Sequence, residues 1–389
     1  MPSLPHIRFH RRLLGPMAGT NGGNLKLRDC YNHFLASDQW RPSIYFSPET
    51  VWNEHPGNYW SDLKAQAIPQ WTVKPGDLLF FSGGDWRVLS KRARTRPPVP
   101  IINIVQPRHT RKDDPRNVFL QHPAIRIAKS QKGAEILREY GVNGPLFVIP
   151  DSIDLSNLPP IPEQKDIDLL IIGLKEPELG KALLEKIEKA TSSSPPRGLG
   201  GAISSTPKQT INPSPPRGLG GASDLRKSKK LSIHLQLPPK LPTRNDFLKL
   251  LARAKTVCCL PLQADRGAEG FYLPALEAMA LDVLVVCPPA VGNRDHCLDG
   301  VNCLMPNYDL EAIYSAVVEA LNLPDDTRQK LIDGGRQTAQ KHDLAEERRA
   351  ILDLADRAYD LWAQADLFVP SPRSKFDAEW RQKLGRFFR

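Results

Sequence analysis

The sequence predicts an α/β protein of two domains, each a parallel sheet covered by helices. Three observations lead there. Short apolar runs rich in branched and aromatic residues alternate with helical patterns along most of the chain. That alternation favours parallel strands joined by crossover helices. A proline-rich stretch, Ser152–Asp166 with Pro159, Pro160 and Pro162, interrupts it partway and reads as a hinge. Finally, 389 residues suffice for two separate cores.

In the first half, Ser43–Ser47, Asp77–Phe81, Pro100–Val105, Ile125–Ala128 and Leu146–Ile149 read as buried strands. Lys132–Tyr140 is a helical pattern that Gly141 stops. Upstream, Gly19–Asn24 (GTNGGN) precedes a helix through Leu35. A glycine-rich turn there can cradle a phosphate, admit an acceptor, or be an ordinary tight turn; it lacks the spacing of a dinucleotide fingerprint. The strand expected before it is poorly written.

After the hinge come the strand Ile167–Ile172, a turn over Gly173–Gly180 and a helix through Ala190. Residues 191–230 break the pattern: SPPRGLGGA occurs at 194–202 and again at 214–222, among Ser, Pro, Gly and Lys. So few large apolar residues cannot offset the entropy of ordering, and two copies are too few for a solenoid. The segment reads as a disordered surface insertion, with a charged docking arm as the alternative. The pattern resumes with the strand Leu231–Leu235, the helix Arg244–Ala254 and the strand Thr256–Leu260. Leu310–Leu321, Asp326–Lys341 and Ala345–Trp362 are helical. From Ser371 the tail sets Phe376, Trp380, Leu384, Phe387 and Phe388 at helical spacing among six Lys and Arg. It suits either packing back on the first domain or a membrane surface. The division is therefore 1–158, 159–365 with its insertion, and the tail 366–389.

Composition excludes several classes. At 40% hydrophobic and 25% charged the chain has an ordinary soluble make-up, with no apolar run of membrane-spanning length. The first residues lack the apolar core of a signal peptide. Six cysteines without zinc-site spacing point to reduced thiols and a cytoplasmic protein. Net charge is +10, and between Trp86 and Lys132 twelve Lys and Arg face only Asp113 and Asp114. Such a window is either a solvated face or a contact for an acidic surface, including the inner face of an anionic membrane. No nucleic-acid-binding motif accompanies it, so nucleic acid is not expected as a partner.

After the strand at Thr256, the stretch from Asp265 to Leu304 carries the chemistry. Pro274 sits where a first helical turn would start, Leu276, Met279 and Ala280 recur at helical spacing, and Val283–Val286 is a short strand. The N–H groups of Phe271, Tyr272 and Leu273 would point out of that helix start, where a phosphate is favoured. Glu269 precedes the turn and Glu277 lies one turn inside it. Acids beside unpaired amides suit a ligand with both hydroxyls and phosphate, such as a nucleotide sugar.

Glu269, Gly270, Phe271, Pro274, Glu277, Ala278, Met279 and Ala280 form a frame that resembles the retaining glycosyltransferases of family 4, with their Glu-x7-Glu signature. V-G-N-R-D and D-G-V-N-C-L downstream are similar to that family's following loops, and I-P-D-S-I-D at Ile149–Asp154 to its domain junction. Tyr272 and Cys303 stand where the family usually has Gly. The resemblance is strong from Asp246 to Leu361, moderate over Ala124–Asp154 and weak before that.

The resemblance implies the two-domain GT-B fold and transfer of a sugar from a nucleotide-sugar donor to an acceptor hydroxyl with retention of configuration. The acceptor would be a glycan, a lipid-linked molecule or a small molecule. Glu277 would take the ribose hydroxyls and Glu269 those of the transferred sugar. Gly270, Phe271, Tyr272 and Leu273 would line the donor site. Leu174 replaces the arginine that holds the donor diphosphate, so Lys175 and Lys181 are the substitutes, or else solvated helix-end charges. His109 falls where the family places a histidine facing the donor, or is a surface histidine. No cofactor and no metal are implied, since Asp113–Asp114 is not an Asp-x-Asp motif. The alternatives are a GT-B sugar- or nucleotide-binding protein without turnover, and a membrane-docking scaffold.

Overall fold

The structure, a computed structural model, describes residues 4–15, 17–192, 231–263 and 269–369. The repeat-bearing insertion beyond Ser192 and the tail from Ser371 lie outside the described residues.

The first domain is a six-stranded sheet in the order β2-β1-β3-β4-β5-β6, with every neighbouring pair parallel. Its strands are β1 (His6–Arg11), β2 (Arg41–Phe46), β3 (Asp77–Ser82), β4 (Ile101–Ile104), β5 (Ile125–Ala128) and β6 (Leu146–Val148). Helix α1 (Gly22–Leu35) starts where the Asn21 side chain accepts from the Asn24 N–H at 3.0 Å. The short helix α2 spans Lys91–Thr95, and α3 (Gln131–Tyr140) runs from the Ser130 cap to Gly141 at φ +79. A left-handed residue there is the usual reason for glycine at a helix end.

The poorly written first strand lies inside this sheet, between β2 and β3. Ile7 and Phe9 alternate with Arg8 and His10, and all four are buried. The Arg8 guanidinium donates to Asp77 on β3, while His10 lies 3.2 Å from Asp85 and 2.7 Å from the Ser47 hydroxyl. Both polar side chains are inside because partners some forty to seventy-five residues away satisfy them.

The second domain holds β7 (Ile167–Ile172), α4 (Pro177–Ser192), β8 (Ile233–Gln236), α5 (Arg244–Ala252), β9 (Ala254–Cys259), α6 (Leu273–Ala280) and β10 (Leu284–Val286). Its sheet order is β10-β9-β7-β8, again parallel throughout. Helices α7 (Leu310–Asn322) and α8 (Asp325–Gln340) complete it. The carboxyl ends of both sheets face one interdomain cleft, where ligands of open α/β sheets bind.

The expected helix Ala345–Trp362 is two helices, α9 (Leu344–Asp356) and α10 (Ala358–Ala363), meeting at Arg357. The break lets Ile351, Leu354, Ala355 and Ala358 join the core of the first domain beside Phe9 and Phe34. In packing, then, the chain returns to the first domain from Leu344, although the sequence division assigned it to the second. At its end, Val369 N–H donates to Asn143 Oδ1 at 2.9 Å, again on the first domain. The two interdomain crossings run side by side: Ile153 N–H donates to His342 O at 2.9 Å and Leu344 N–H to Ile153 O at 3.1 Å.

A buried charge cluster fixes the return. Lys26 Nζ donates to Glu347 Oε2 at 2.7 Å, and Lys129 Nζ to Glu347 Oε1 at 3.2 Å. Lys129 also lies 2.9 Å from Asp151. Burial alone would raise the Glu347 carboxyl, but Lys26 and Lys129 hold it well below the usual range.

The basic window does not form one face. Arg126 and Lys129 are internal, Arg111 and Arg116 pair with Asp113 and Asp114, and Lys132 with Glu135. Among the described residues no helix is long and apolar enough to cross a membrane.

Candidate functional site

The cleft encloses a cavity of about 490 Å³ lined from both domains. From the second domain, the loop after β9 brings in Glu269 and Gly270, and α6 begins directly behind them. Its N-cap residue, Tyr272, makes no side-chain capping bond. The first-turn amides have no acceptor within the helix by geometry, and Phe271, Tyr272, Leu273 and Pro274 all line the cavity. Gly292 lets this loop sit tight: a Cβ there would lie 2.5 Å from Phe271 N. Phe271 stacks on His296 at 4.4 Å, and the His296 ring lies 3.2 Å from the Tyr272 carbonyl. Burial drives His296 down to about 3, so the ring is neutral at pH 7, and its contact with a carbonyl, which can only accept, places its one proton on Nε2. Tyr272, where glycine would be usual, has φ −115 and sends a 3%-exposed side chain into the domain core. It needs no left-handed backbone.

Both acids of the frame face the cleft, and each meets a cation. Glu269 lies 3.0 Å from Lys175 Nζ. Burial raises its pKa, with Lys175 and Arg108 opposing. Glu277, 1% exposed, is paired with the guanidinium of Arg244. Its pKa too is raised by burial and held back by Arg244. Arg244 is placed by the capping box that opens α5, in which Thr243 and Asp246 bond reciprocally. Gly270 approaches the first domain closely enough that a Cβ would lie 3.2 Å from Gln106 Cγ.

Two expected site residues are not brought to the cavity. Lys181 lies on the exposed side of α4, 2.8 Å from Glu178, and does not line the cleft. Its helix turns it outward, whereas Lys175 in the preceding turn faces in. His109 is buried in the first domain and does not line the cleft either. Its Nδ1 accepts from Gln106 N–H at 3.3 Å, closing the short turn Pro107–Thr110. Burial, then Arg116 and Arg108, push it down to about 3.

Sequence reasoning missed Arg108, Lys240 and Arg244, which all line the cavity. Arg244 carried a usable signal, the Thr-x-x-Asp box just before a helix; the other two carried none beyond their charge.

Residues 221–338 match the family model described as glycosyl transferases group 1. No curated protein is similar to the chain in sequence. Among solved structures, sucrose-phosphate synthase from Thermosynechococcus elongatus superposes with a TM-score of 0.60 at 13% identity, over 92% of this chain and 99% of that one. Anabaena HepE in complex with UDP and glucose gives 0.61 at 14% identity, over 90% and 99%. The E. coli trehalose-6-phosphate structure bound with UDP-2-fluoro glucose gives 0.54 at 12%, over 90% and 98%. At such identities the likeness is one of fold, and the fold is the GT-B architecture that the resemblance implied.

Proposed function

From a GT-B chain whose residues 221–338 match the group 1 glycosyl transferases, we propose a glycosyltransferase that moves a sugar from a nucleotide-sugar donor to an acceptor hydroxyl with retention. The observation that carries this reading is the pair Glu269 and Glu277, set at the mouth and inside the first turns of α6, both facing one cleft and both against a cation. Glu277 accepts from the ribose hydroxyls and Glu269 from hydroxyls of the transferred sugar, a task for which carboxylates offer several acceptor sites. Breaking the sugar–phosphate bond leaves negative charge on the departing diphosphate. Lys175, Lys240 and the first-turn amides of α6 are preorganised to receive it. Phe271 is braced by His296 and Gly292, so the loop presents those amides without reorganising. UDP is the nucleotide we assign, because the similar HepE structure holds UDP and glucose.

The test is a thermal-shift screen of nucleotide sugars followed by product analysis. A true donor at a hundred times its dissociation constant adds about 2.7 kcal/mol of stability. Stabilisation by UDP-glucose or a related donor with transfer to an alcohol supports the reading; no response to any nucleotide sugar sinks it.

Turning His109 away from the cleft favours one second reading, a binding protein of the same fold without turnover. Donor stabilisation without hydrolysis or transfer would establish it. Membrane contact, the further partner left open by the sequence, would rest on exposed α2 with Lys91 and Arg92. Binding to anionic vesicles that fails in high salt and on neutral lipid is its test.

A further inference from the structure

The cavity carries one cation that the donor does not explain. Among its cationic lining residues, Lys26 and Lys129 are committed to Glu347 and Asp151, Lys175 to Glu269, and Arg244 to Glu277. Lys240 and Arg108 have no ion pair with any described residue, and they belong to different domains. Lys240 stands on the donor side, with Lys175 and the start of α6. Arg108 stands across from it, in the turn after β4.

That turn is rigid. Pro107 opens it, Thr110 Oγ1 donates to Pro107 O at 2.8 Å, and Asn117 Nδ2 donates to His109 O at 3.1 Å and Thr110 O at 3.0 Å. Arg108 is largely buried and its Nε is buried with no partner. The charges in its reach are Arg116, Asp114 and Glu269. Asp114 is already gripped by Arg116, and Glu269 by Lys175. His109 beside it is neutral at pH 7 because burial holds it near 3. Among the described residues, the first-domain wall of the cleft therefore presents a largely buried guanidinium without an ion-pair partner of its own, an arrangement that an arriving anion would complete. A planar fork of donors matches a phosphate or a carboxylate.

Resting on the donor assignment above, we propose that the acceptor bears an anionic group, phosphate or carboxylate, and that Arg108 holds it. The anion orients the acceptor so that its hydroxyl faces the sugar held at Glu269, and a neutral acceptor leaves the guanidinium unpaired. Arg108 thus sets acceptor class and takes no part in bond breaking.

The experiment is calorimetric titration, in saturating UDP, of inorganic phosphate, glucose 6-phosphate, glucuronate and glucose into the parent, Arg108→Gln and Arg108→Lys. We expect the anions to bind the parent at least about tenfold more tightly than glucose. Arg108→Gln should abolish the difference, Arg108→Lys should keep part of it, and UDP affinity should stay within about twofold throughout. The two anionic sugars tell a phosphate from a carboxylate. Equal binding of glucose and the anions overturns the proposal, as does a preference that survives in Arg108→Gln. A large loss of UDP affinity in Arg108→Gln also overturns it, by moving Arg108 to the donor diphosphate. If the parent binds no UDP, the donor reading fails and this proposal with it; intact UDP binding without an anion preference removes this proposal alone.

Discussion

The guanidinium of Arg244, at the start of α5, lies against the carboxylate of Glu277, inside α6. Glu277 is 1% exposed, and burial pushes its pKa up while Arg244 opposes that push. The pairing opposes the burial that favours the protonated acid, and it holds Glu277 in place before any nucleotide enters. Arg244 is in this sense a positioning residue for Glu277.

Arg244→Met should therefore raise the Glu277 pKa further, since burial acts without its counter-charge. The acid would then be protonated over a higher range, and nucleotide affinity should fall about tenfold near neutral pH and recover as pH rises through the new pKa. The parent should bind UDP with a flatter profile. Calorimetry of UDP between about pH 6 and 9 checks this, and parallel profiles for the two proteins would remove the positioning role.

A second outcome concerns the latch between α9 and the first domain. Glu347→Gln leaves Lys26 and Lys129 buried without their shared carboxylate, a loss of about 3–5 kcal/mol for a broken buried pair. The folded pKa of Glu347 is depressed below its ordinary 4.5. Its contribution is therefore present above that value and disappears as pH falls below it. Denaturant unfolding at pH 7 should show the full gap between parent and variant, and the gap should shrink progressively in acid. A gap that does not change with pH would mean that packing, and not charge, holds α9.

These sites differ sharply in how far the sequence could show them. The acids Glu269 and Glu277 were legible because the loop–helix frame is local: chain order alone brings them to one mouth. Their cations were not, because Arg244 meets Glu277 and Lys175 meets Glu269 only through tertiary packing. Strand β1 was obscured by Arg8 and His10, whose partners Asp77 and Asp85 follow some seventy residues later. The basic window looked like a surface, yet Arg126 is fully buried, donating to Asn103 and to the carbonyls of Phe119 and Leu120. Charge counts carry no information about which carbonyls a guanidinium will find. The long C-terminal helix pattern was correct in type, but its break at Arg357 comes from Ala358 packing on the first domain.

The two lysines that looked equivalent in the sequence should behave differently. Lys175→Ala removes a cation in the cleft beside Glu269, and UDP-sugar affinity should drop about tenfold. Lys181 is exposed and, among the described residues, bonded to Glu178 on its own helix, so Lys181→Ala should leave affinity within about twofold. Binding isotherms for the two variants decide it. A comparable loss in both would mean that α4 turns its outer face toward the donor when it binds.

The last prediction separates the two glutamates. Glu277→Gln keeps shape and removes charge, so bonds from the ribose hydroxyls go to a neutral acceptor. Bonds to a charged group are worth about 1.5–3 kcal/mol against about 1 for neutral pairs, so free UDP should bind about tenfold more weakly. The Arg244 guanidinium would also lose its counter-charge, which pushes in the same direction. Glu269 reaches the transferred sugar and not the nucleotide, so Glu269→Gln should leave UDP affinity nearly unchanged. Its turnover should fall much further than that affinity, the mark of an interaction made mainly in the transition state. Freed from Glu269, Lys175 would hold the diphosphate somewhat more firmly, so any change in UDP affinity should be a small gain. Calorimetric binding of UDP beside transfer rates for parent and both variants supplies the comparison. If Glu269→Gln weakens UDP as much as Glu277→Gln does, the two acids share one nucleotide site. If both variants turn over like the parent, the fold assignment stands and the enzyme assignment falls.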